Sequence, residues 1–368
     1  MMLSPKQQEA DAAVCGWHRS SNEQIFRLFG PAGTGKTTLL QGFVSNMGVK
    51  VCYMAFTGKA AMVMRKSGCT GAATIHSVIY KATRNKKTGR MEFKLNKRAL
   101  DDYDMIAVDE VSMVDDEIGN DLVSYGKPIL VLGDPAQLPP VKGGGYFTNQ
   151  EPDVMLTEIH RQAEGNPIIQ LATTVRTGGT LELGQYGASR VITRKEIDAE
   201  AILAADQVLV GYNNSRHLYN ARIRDLLGRK GWEPEVGERL VCLKNNKETG
   251  IFNGGLFDVQ SVPPRTAYDK ADRVIQLSIK SADFDDAPEI KTCVREEFLD
   301  GSGTKIHWKE LIGTDQFDYG YALTVHKAQG SQWPEVVVFD ESRVAKNEAW
   351  RWLYTAITRA SEKITIVK

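Results

Sequence analysis

The stretch GPAGTGKTT, Gly30 to Thr38, restricts the fold of this chain more than any other. It satisfies Gly-x-x-x-x-Gly-Lys-Thr, with Gly30, Gly35, Lys36 and Thr37 in the fixed places. An apolar run, QIFRLF (24–29), precedes it and a helical pattern near 35–47 follows. The pattern demands a strand, a glycine-rich loop and a helix opening on the lysine. Glycines, Gly33 among them, let backbone N–H groups approach an anion closely, and the helix N-terminus adds partial positive charge. Gly30, Gly33, Thr34, Gly35, Lys36, Thr37 and Thr38 are therefore candidate contacts to a nucleoside triphosphate. Lys36 is expected to reach the β- and γ-phosphates and the Thr37 hydroxyl to hold Mg²⁺.

Three further apolar runs follow: VKVCYMAF (49–56), MIAVDE (105–110) and ILVLGD (129–134). They alternate with helical candidates near 58–67 and 114–124, the signature of an α/β unit with helices on both faces of a parallel sheet. Asp109 ends one strand, where its carboxylate suits the metal beside Thr37. Glu110 is placed to orient or deprotonate an attacking water. ILVLGD delivers Asp134 and Gln137 into a loop stiffened by Pro135, Pro139 and Pro140. Ligands of parallel sheets sit outside the carboxyl ends of strands. The loop is thus expected to hold Gln137 toward the γ-phosphate, where an amide can both donate and accept.

A second α/β set appears at 207–212, 335–340 and 363–368, with helices near 166–176, 214–227 and 348–359. Between Arg229 and Thr314 short strands split by Gly, Asn and Pro indicate an inserted β module. At 368 residues, two or three domains are expected. We divide the chain into 1–150, with a protruding hairpin at 81–98, then 151–228 with 315–368, and the insert 229–314.

Formal net charge is zero, so composition gives no sign of a polyanionic partner, but charge is unevenly placed. Residues 81–98 carry eight bases against Glu92, and 283–300 carry seven acids against two bases. The five scattered cysteines match neither a disulfide frame nor a zinc site, and a reducing compartment fits. No apolar run approaches membrane-spanning length. No membrane association is expected, and the location expected is the cytoplasm of a prokaryotic or phage-infected cell.

Taken in order, these residues resemble the superfamily 1 DNA helicases of the 5′→3′ branch, which holds the RecD-like, Dda-like and Pif-type enzymes. LSPKQ (3–7) is similar to the glutamine motif, FTGKAA (56–61) and TIHS (74–77) to strand-contact motifs, and GDPAQLPPV to the third motif. The run 156–178 resembles the entry to a second motor domain, and NNKETGIFNG (245–254) also fits this branch. YALTVHKAQGSQW (321–333) and WLYTAITRA (352–360) resemble the fifth and sixth motifs.

The resemblance implies two RecA-like P-loop motor domains, with a small β-hairpin inserted in the first and a small SH3-like β-barrel in the second. It implies that Gln7 reads adenine and that Gln332 meets the nucleotide sugar. Gln332 stands where the family commonly has Glu. Arg161 and Arg359 fall at the arginine-finger positions, and His160 where some relatives carry a stacking aromatic. Thr57, Lys59, His76, Thr324 and His326 match strand-contacting positions. Phe93, alone in the basic hairpin, either wedges a base pair or packs the hairpin.

The activity implied is ATP-dependent, Mg²⁺-dependent 5′→3′ translocation on single-stranded DNA with duplex unwinding, acting at single-strand/duplex junctions. Two alternatives are a RecD-like subunit of a recombination nuclease complex and a DNA-dependent ATPase that remodels nucleoprotein. The short flanks around the motifs favour a self-contained, monomeric motor, with 229–314 open to docking a partner.

Overall fold

A computed structural model describes residues 3–20, 22–31, 33–45, 47–84, 91–140, 143–157, 165–246, 249–284, 287–302 and 306–368. The chain divides at Asn166 and Pro167 into two units, each with its own parallel sheet.

The first unit contains strands β1 (Ile25–Phe29), β2 (Val51–Ala55), β3 (Ala73–Thr74), β4 (Tyr80–Arg84), β5 (Met91–Leu95), β6 (Met105–Asp109), β7 (Ile129–Gly133) and β8 (Val154–Met155). Its helices are α1 (Pro5–Ser20), α2 (Lys36–Ser45), α3 (Gly58–Lys66), α4 (Ile75–Ile79) and α5 (Asp116–Val123). Six strands form one sheet in the order β3-β2-β6-β7-β1-β8, all parallel, whereas β4 and β5 pair separately as an antiparallel ribbon. β6 and β7 are buried at every position, which is why both read as unbroken apolar runs. Val14 of α1, Leu40 of α2 and Met64 of α3 pack on one face of the sheet; Ile79 of α4 and Leu122 of α5 pack on the other. Sequence periodicity missed α1. Its signal is local: Ser4 and Gln7 form a reciprocal cap, with Pro5 at the first helical position.

The second unit contains β9 (Gly184–Tyr186), β10 (Ser189–Ile192), β11 (Gln207–Val210), β12 (Arg239–Cys242), β13 (Leu256–Ser261), β14 (Val274–Ser281), β15 (Ile290–Arg295), β16 (Phe317–Tyr319), β17 (Ala322–Thr324), β18 (Trp333–Phe339) and β19 (Ala360–Val367). Its helices are α6 (Pro167–Arg176), α7 (Ala199–Ala204), α8 (Asn213–Leu226), α9 (Ala267–Ala271), α10 (Glu296–Leu299), α11 (Val325–Ala328) and α12 (Ala349–Ile357). The main sheet runs β17-β11-β18-β19-β10-β9, parallel except for the β9–β10 edge. A separate antiparallel sheet runs β15-β14-β13-β12-β16.

Two expected boundaries need correction. The first unit does not end at 150, because Val154–Met155 adds a sixth strand beside β1 and the division falls at Asn166. The inserted module does not end at 314, because Phe317–Tyr319 pairs with β12 as its edge strand.

The module is fixed to its unit by one face of α8. Arg216, Asn220 and Arg224, spaced four apart, are all buried. Arg216 Nη1 donates to Asp318 Oδ2 at 2.5 Å, and Asn220 Nδ2 donates to the Tyr319 and Ala322 carbonyls at 2.9 and 3.2 Å. Arg224 Nε donates to Glu238 Oε1 at 2.6 Å, and its guanidinium lies 4.1 Å from the Tyr319 ring centre. These partners make the burial of charge tolerable, although Arg216 Nε has none among the described residues.

Candidate nucleotide site and strand-contact face

Sheet register gathers the first-unit candidates at one edge. Phe29 lies beside Gly133 and Ala55 beside Asp109, so the residues following β1, β6 and β7 emerge together. Gly30 is obligatory there, since a Cβ would lie 2.8 Å from the Leu156 carbonyl and 2.9 Å from Thr34 Oγ1. Gly33 and Gly35 take φ of +83° and +76°, the left-handed region that glycine enters without steric cost. Thr34 is buried and its hydroxyl donates to Pro31 O at 2.9 Å, so it braces the loop from within. Thr38 is exposed on the first turn of α2. Lys36 Nζ donates to the carbonyls of Gly30 (2.7 Å) and Pro31 (3.0 Å), which folds the ammonium over the loop.

The Thr37 hydroxyl donates to Asp109 Oδ2 at 2.5 Å, and Glu110 N–H donates to Asp109 Oδ1 at 2.8 Å. A hydroxyl and a carboxylate in contact are hard oxygen donors, the pair that a phosphate-bound Mg²⁺ takes from protein. Residues and ion therefore fit. Glu110 itself has φ +55° and ψ +45°, a left-handed conformation rare outside glycine. Held strain of this kind clusters at functional sites and costs on the order of 1–3 kcal/mol. Nothing in the sequence signalled it.

Gln137 is buried, and its Oε1 has no hydrogen-bond partner among the described residues. Its loop is braced by more than proline: Asp134 Oδ1 accepts from Ala136 N–H at 3.0 Å, and Gln137 N–H donates to the Asp134 carbonyl at 3.1 Å. A buried acceptor held without a partner calls for an explanation, and a ligand-borne donor supplies one. Gln7 is also buried. Its Oε1 accepts from Ser4 N–H, and its Nε2 reaches the Thr34 carbonyl of the phosphate loop at 3.4 Å.

Strand-contact candidates occupy the same carboxyl edge. Thr57 caps α3 just beyond β2, accepting from Ala60 N–H at 3.1 Å, and Lys59 follows half-buried on that helix. His76, exposed on α4, packs edge-on against Phe56 (6.1 Å) and tilted over Tyr80 (5.5 Å). Sequence reasoning missed these two aromatic neighbours. Phe93 is 67% exposed on β5, opposite Ala82. The KKTG turn, with Lys86, Lys87 and Arg90, lies outside the described residues, as do His160 and Arg161.

In the second unit the candidates split between two edges. Thr324 closes β17 at the carboxyl edge and leads into α11, where His326 is half-buried and burial pushes its imidazole pKa down. Gln332 and Arg359 instead immediately precede β18 and β19, at the amino edge. The carboxyl-edge rule that locates the phosphate loop therefore does not locate them. Gln332 is exposed. Arg359 is buried, donating to the carbonyls of Thr355 (3.1 Å) and Ser331 (3.0 Å) and to Thr358 Oγ1 (3.0 Å). Its bond to Ser331 ties it to the residue beside Gln332. Lys327, not singled out from sequence, has its pKa lowered to about 8 by burial and by Arg216, with Asp318 opposing.

A strand–loop–helix phosphate cradle, a hydroxyl–carboxylate oxygen pair and an adjacent carboxylate define the class of P-loop nucleoside triphosphatases. An AAA domain family model matches residues 2–196, more than half of the chain, and a UvrD-like helicase C-terminal domain model matches 319–367. The chain belongs to the superfamily 1 DNA helicases, in the branch of the RecD-like, Dda-like and Pif-type proteins. It is 30% identical to the ATP-dependent RecD2 DNA helicase of Deinococcus radiodurans over 93% of this chain and 47% of that protein. It is 33% identical to the ATP-dependent DNA helicase dda of Enterobacteria phage T4 over 40% of this chain and 37% of that one. The chain thus spans about half the length of the RecD2 relative. In fold it is similar to Bacteroides Pif1 in complex with ADP-AlF3 and ssDNA, with TM-score 0.63, 18% identity and coverage of 99% and 92%. That likeness carries the fold, two RecA-like α/β domains.

Proposed function

We propose that this chain is an ATP-dependent DNA helicase that moves 5′→3′ on single-stranded DNA and opens duplex ahead of it. The Thr37–Asp109 contact, made at the edge where Lys36, Glu110 and Gln137 also emerge, carries this reading. Relatives named as ATP-dependent DNA helicases support it.

In this reading Lys36 and the loop N–H groups bind the β- and γ-phosphates, and Gln7 and Gln332 hold the base and sugar. Thr37 and Asp109 would hold Mg²⁺, which supplies charge neutralisation to the transferring phosphoryl group. Glu110 orients the attacking water and accepts its proton. Loose phosphoryl transfer spreads negative charge, so added cations accelerate it; Arg161 and Arg359 are assigned that task. Gln137 reports the γ-phosphate to the strand-gripping residues. Thr57, Lys59, His76, Thr324 and His326 grip the strand through phosphate and base contacts. The five-stranded insert is read as an SH3-like module, and the working form as a monomer.

The basic ribbon β4–β5, with Phe93 exposed, is assigned to splitting the terminal base pair. Replacing 86–94 by a short Gly/Ser turn should lower strand separation far more than ssDNA-stimulated ATPase. Strand displacement on 5′-tailed against 3′-tailed duplexes tests the main proposal. Displacement confined to 3′-tailed duplexes would overturn the polarity, and none on either, with ATPase intact, would overturn unwinding.

A further inference from the structure

A two-stranded ribbon has little stability of its own, so its direction is set at its root. β4–β5 joins none of the three larger sheets. Its root is closed where Asn96 N–H donates to the Ile79 carbonyl at 2.7 Å. Two phenols meet the first unit at that point. The Tyr80 hydroxyl donates to Asp121 Oδ2 on α5 at 2.5 Å. The Tyr125 hydroxyl, just beyond α5, donates to the Asn96 carbonyl at 2.9 Å.

We propose that Tyr80, Asp121 and Tyr125 are positioning residues that clamp the ribbon root to α5 and so hold the ribbon where it can split duplex. α5 suits the task because it is fixed from several sides. Asp115 caps its start by accepting from Ile118 N–H at 3.0 Å, and Ile118 and Leu122 are buried in the core. At its far end Gln24 Nε2 donates to the carbonyls of Val123 (2.9 Å) and Lys127 (3.1 Å). α5 also follows β6, the strand that ends in Asp109, after only Glu110, the short helical turn Val111–Met113, Val114 and the Asp115 cap. The ribbon root is thereby braced on the element that leaves the metal-and-base end of the sheet. On its other side Tyr80 packs under His76, so the root also adjoins the strand-contact face. Both hydroxyls remain donors through the ordinary pH range. Burial and the Asp121 carboxylate raise both, Tyr125 to about 12.

This inference rests on the ribbon being the strand-separating element, and the experiment keeps the two apart. Tyr80→Phe, Tyr125→Phe, the double variant, Asp121→Asn and Asp121→Ala are compared with the chain whose residues 86–94 are replaced by a Gly/Ser turn. Each is read for single-turnover unwinding of a 5′-tailed duplex, ssDNA-stimulated ATPase and thermal unfolding. Losing one net hydrogen bond corresponds to about a fivefold change in an equilibrium. The double variant should therefore unwind at least about fivefold more slowly, with ATPase within about twofold of wild type. Asp121→Asn, which keeps an acceptor for Tyr80, should retain more unwinding than Asp121→Ala. In the turn-replaced chain the double substitution should cost nothing further, because the clamped element is gone. If turn replacement leaves unwinding intact, the separating role fails and the clamp with it. If turn replacement lowers unwinding while the double variant unwinds normally, the clamp alone fails. Equal loss of ATPase and unwinding in the double variant would also overturn the clamp, showing that the phenols support the whole unit.

Discussion

Thr37 Oγ1 lies 2.5 Å from Asp109 Oδ2, although 72 residues separate them in the chain. The contact exists because β1 and β6 flank β7 in parallel and end at one edge. It makes the phosphate loop and the acidic strand end a single oxygen site. If the two oxygens hold Mg²⁺ together, as proposed, removing Asp109 should resemble removing Thr37. Asp109→Asn and Thr37→Ala are each expected to weaken Mg²⁺-dependent nucleotide binding while leaving Mg²⁺-free binding less affected. Titration of a fluorescent nucleotide with and without Mg²⁺ measures the difference.

Lys36→Ala should remove ATP turnover by at least about 10²-fold, since preorganised charge on the transferring group is lost. Among the described residues the ammonium bonds to two loop carbonyls, so the fold should persist. Circular dichroism with an ATPase assay decides. A folded variant with near-normal turnover would remove the nucleotide assignment.

Glu110→Gln should bind ATP but hydrolyse it roughly 10²–10⁴-fold more slowly, the range for loss of a general base. Its left-handed backbone adds a second expectation. Glu110→Gly should be equally slow yet no less stable, because glycine accepts φ +55° without strain. Thermal melts and single-turnover hydrolysis read the two effects separately.

Gln137→Ala should uncouple more than inactivate. A buried Oε1 without a partner among the described residues is poised for a ligand, so DNA-stimulated ATPase should fall more than basal ATPase. Equal proportional loss in both would confine Gln137 to chemistry.

Arg224→Met should destabilise the second unit by about 3–5 kcal/mol, because Glu238, 0% exposed, would be left as an uncompensated buried charge. Urea unfolding measures this. Arg224→Met with Glu238→Gln should recover part of the loss, as both charges are then absent.

Lys327 gives a pH dependence whose sign is fixed. Its folded pKa, about 8, lies below the ordinary 10.5, so between those values the unfolded chain holds a proton that the native chain has released. Stability contributed by this group therefore rises as pH rises from about 8 to 10.5. Lys327→Met should lack that rise, and the difference between wild-type and variant melts across the window isolates it.

The phosphate loop was legible in the sequence because everything it needs is local. One strand, fixed glycines and a helix start lie within a few consecutive residues, and the backbone there has few alternatives. Unbroken apolar runs likewise exposed β6 and β7, since strands covered on both faces need no polar alternation. The left-handed turn at Glu110, the bond from Arg359 to Ser331 and the meeting of Tyr80 with Asp121 were not legible. Each depends on which strand ends and helix faces become neighbours, and register decides that, not spacing along the chain. The stripe Arg216, Asn220 and Arg224 is the sharpest case. Along an isolated helix three polar residues four apart read as a solvated face. Only when β12, β16 and the turn before β12 bring Glu238, Asp318 and the Tyr319 carbonyl against it does that face become buried, because burial of such groups is tolerated only where acceptors are already in place.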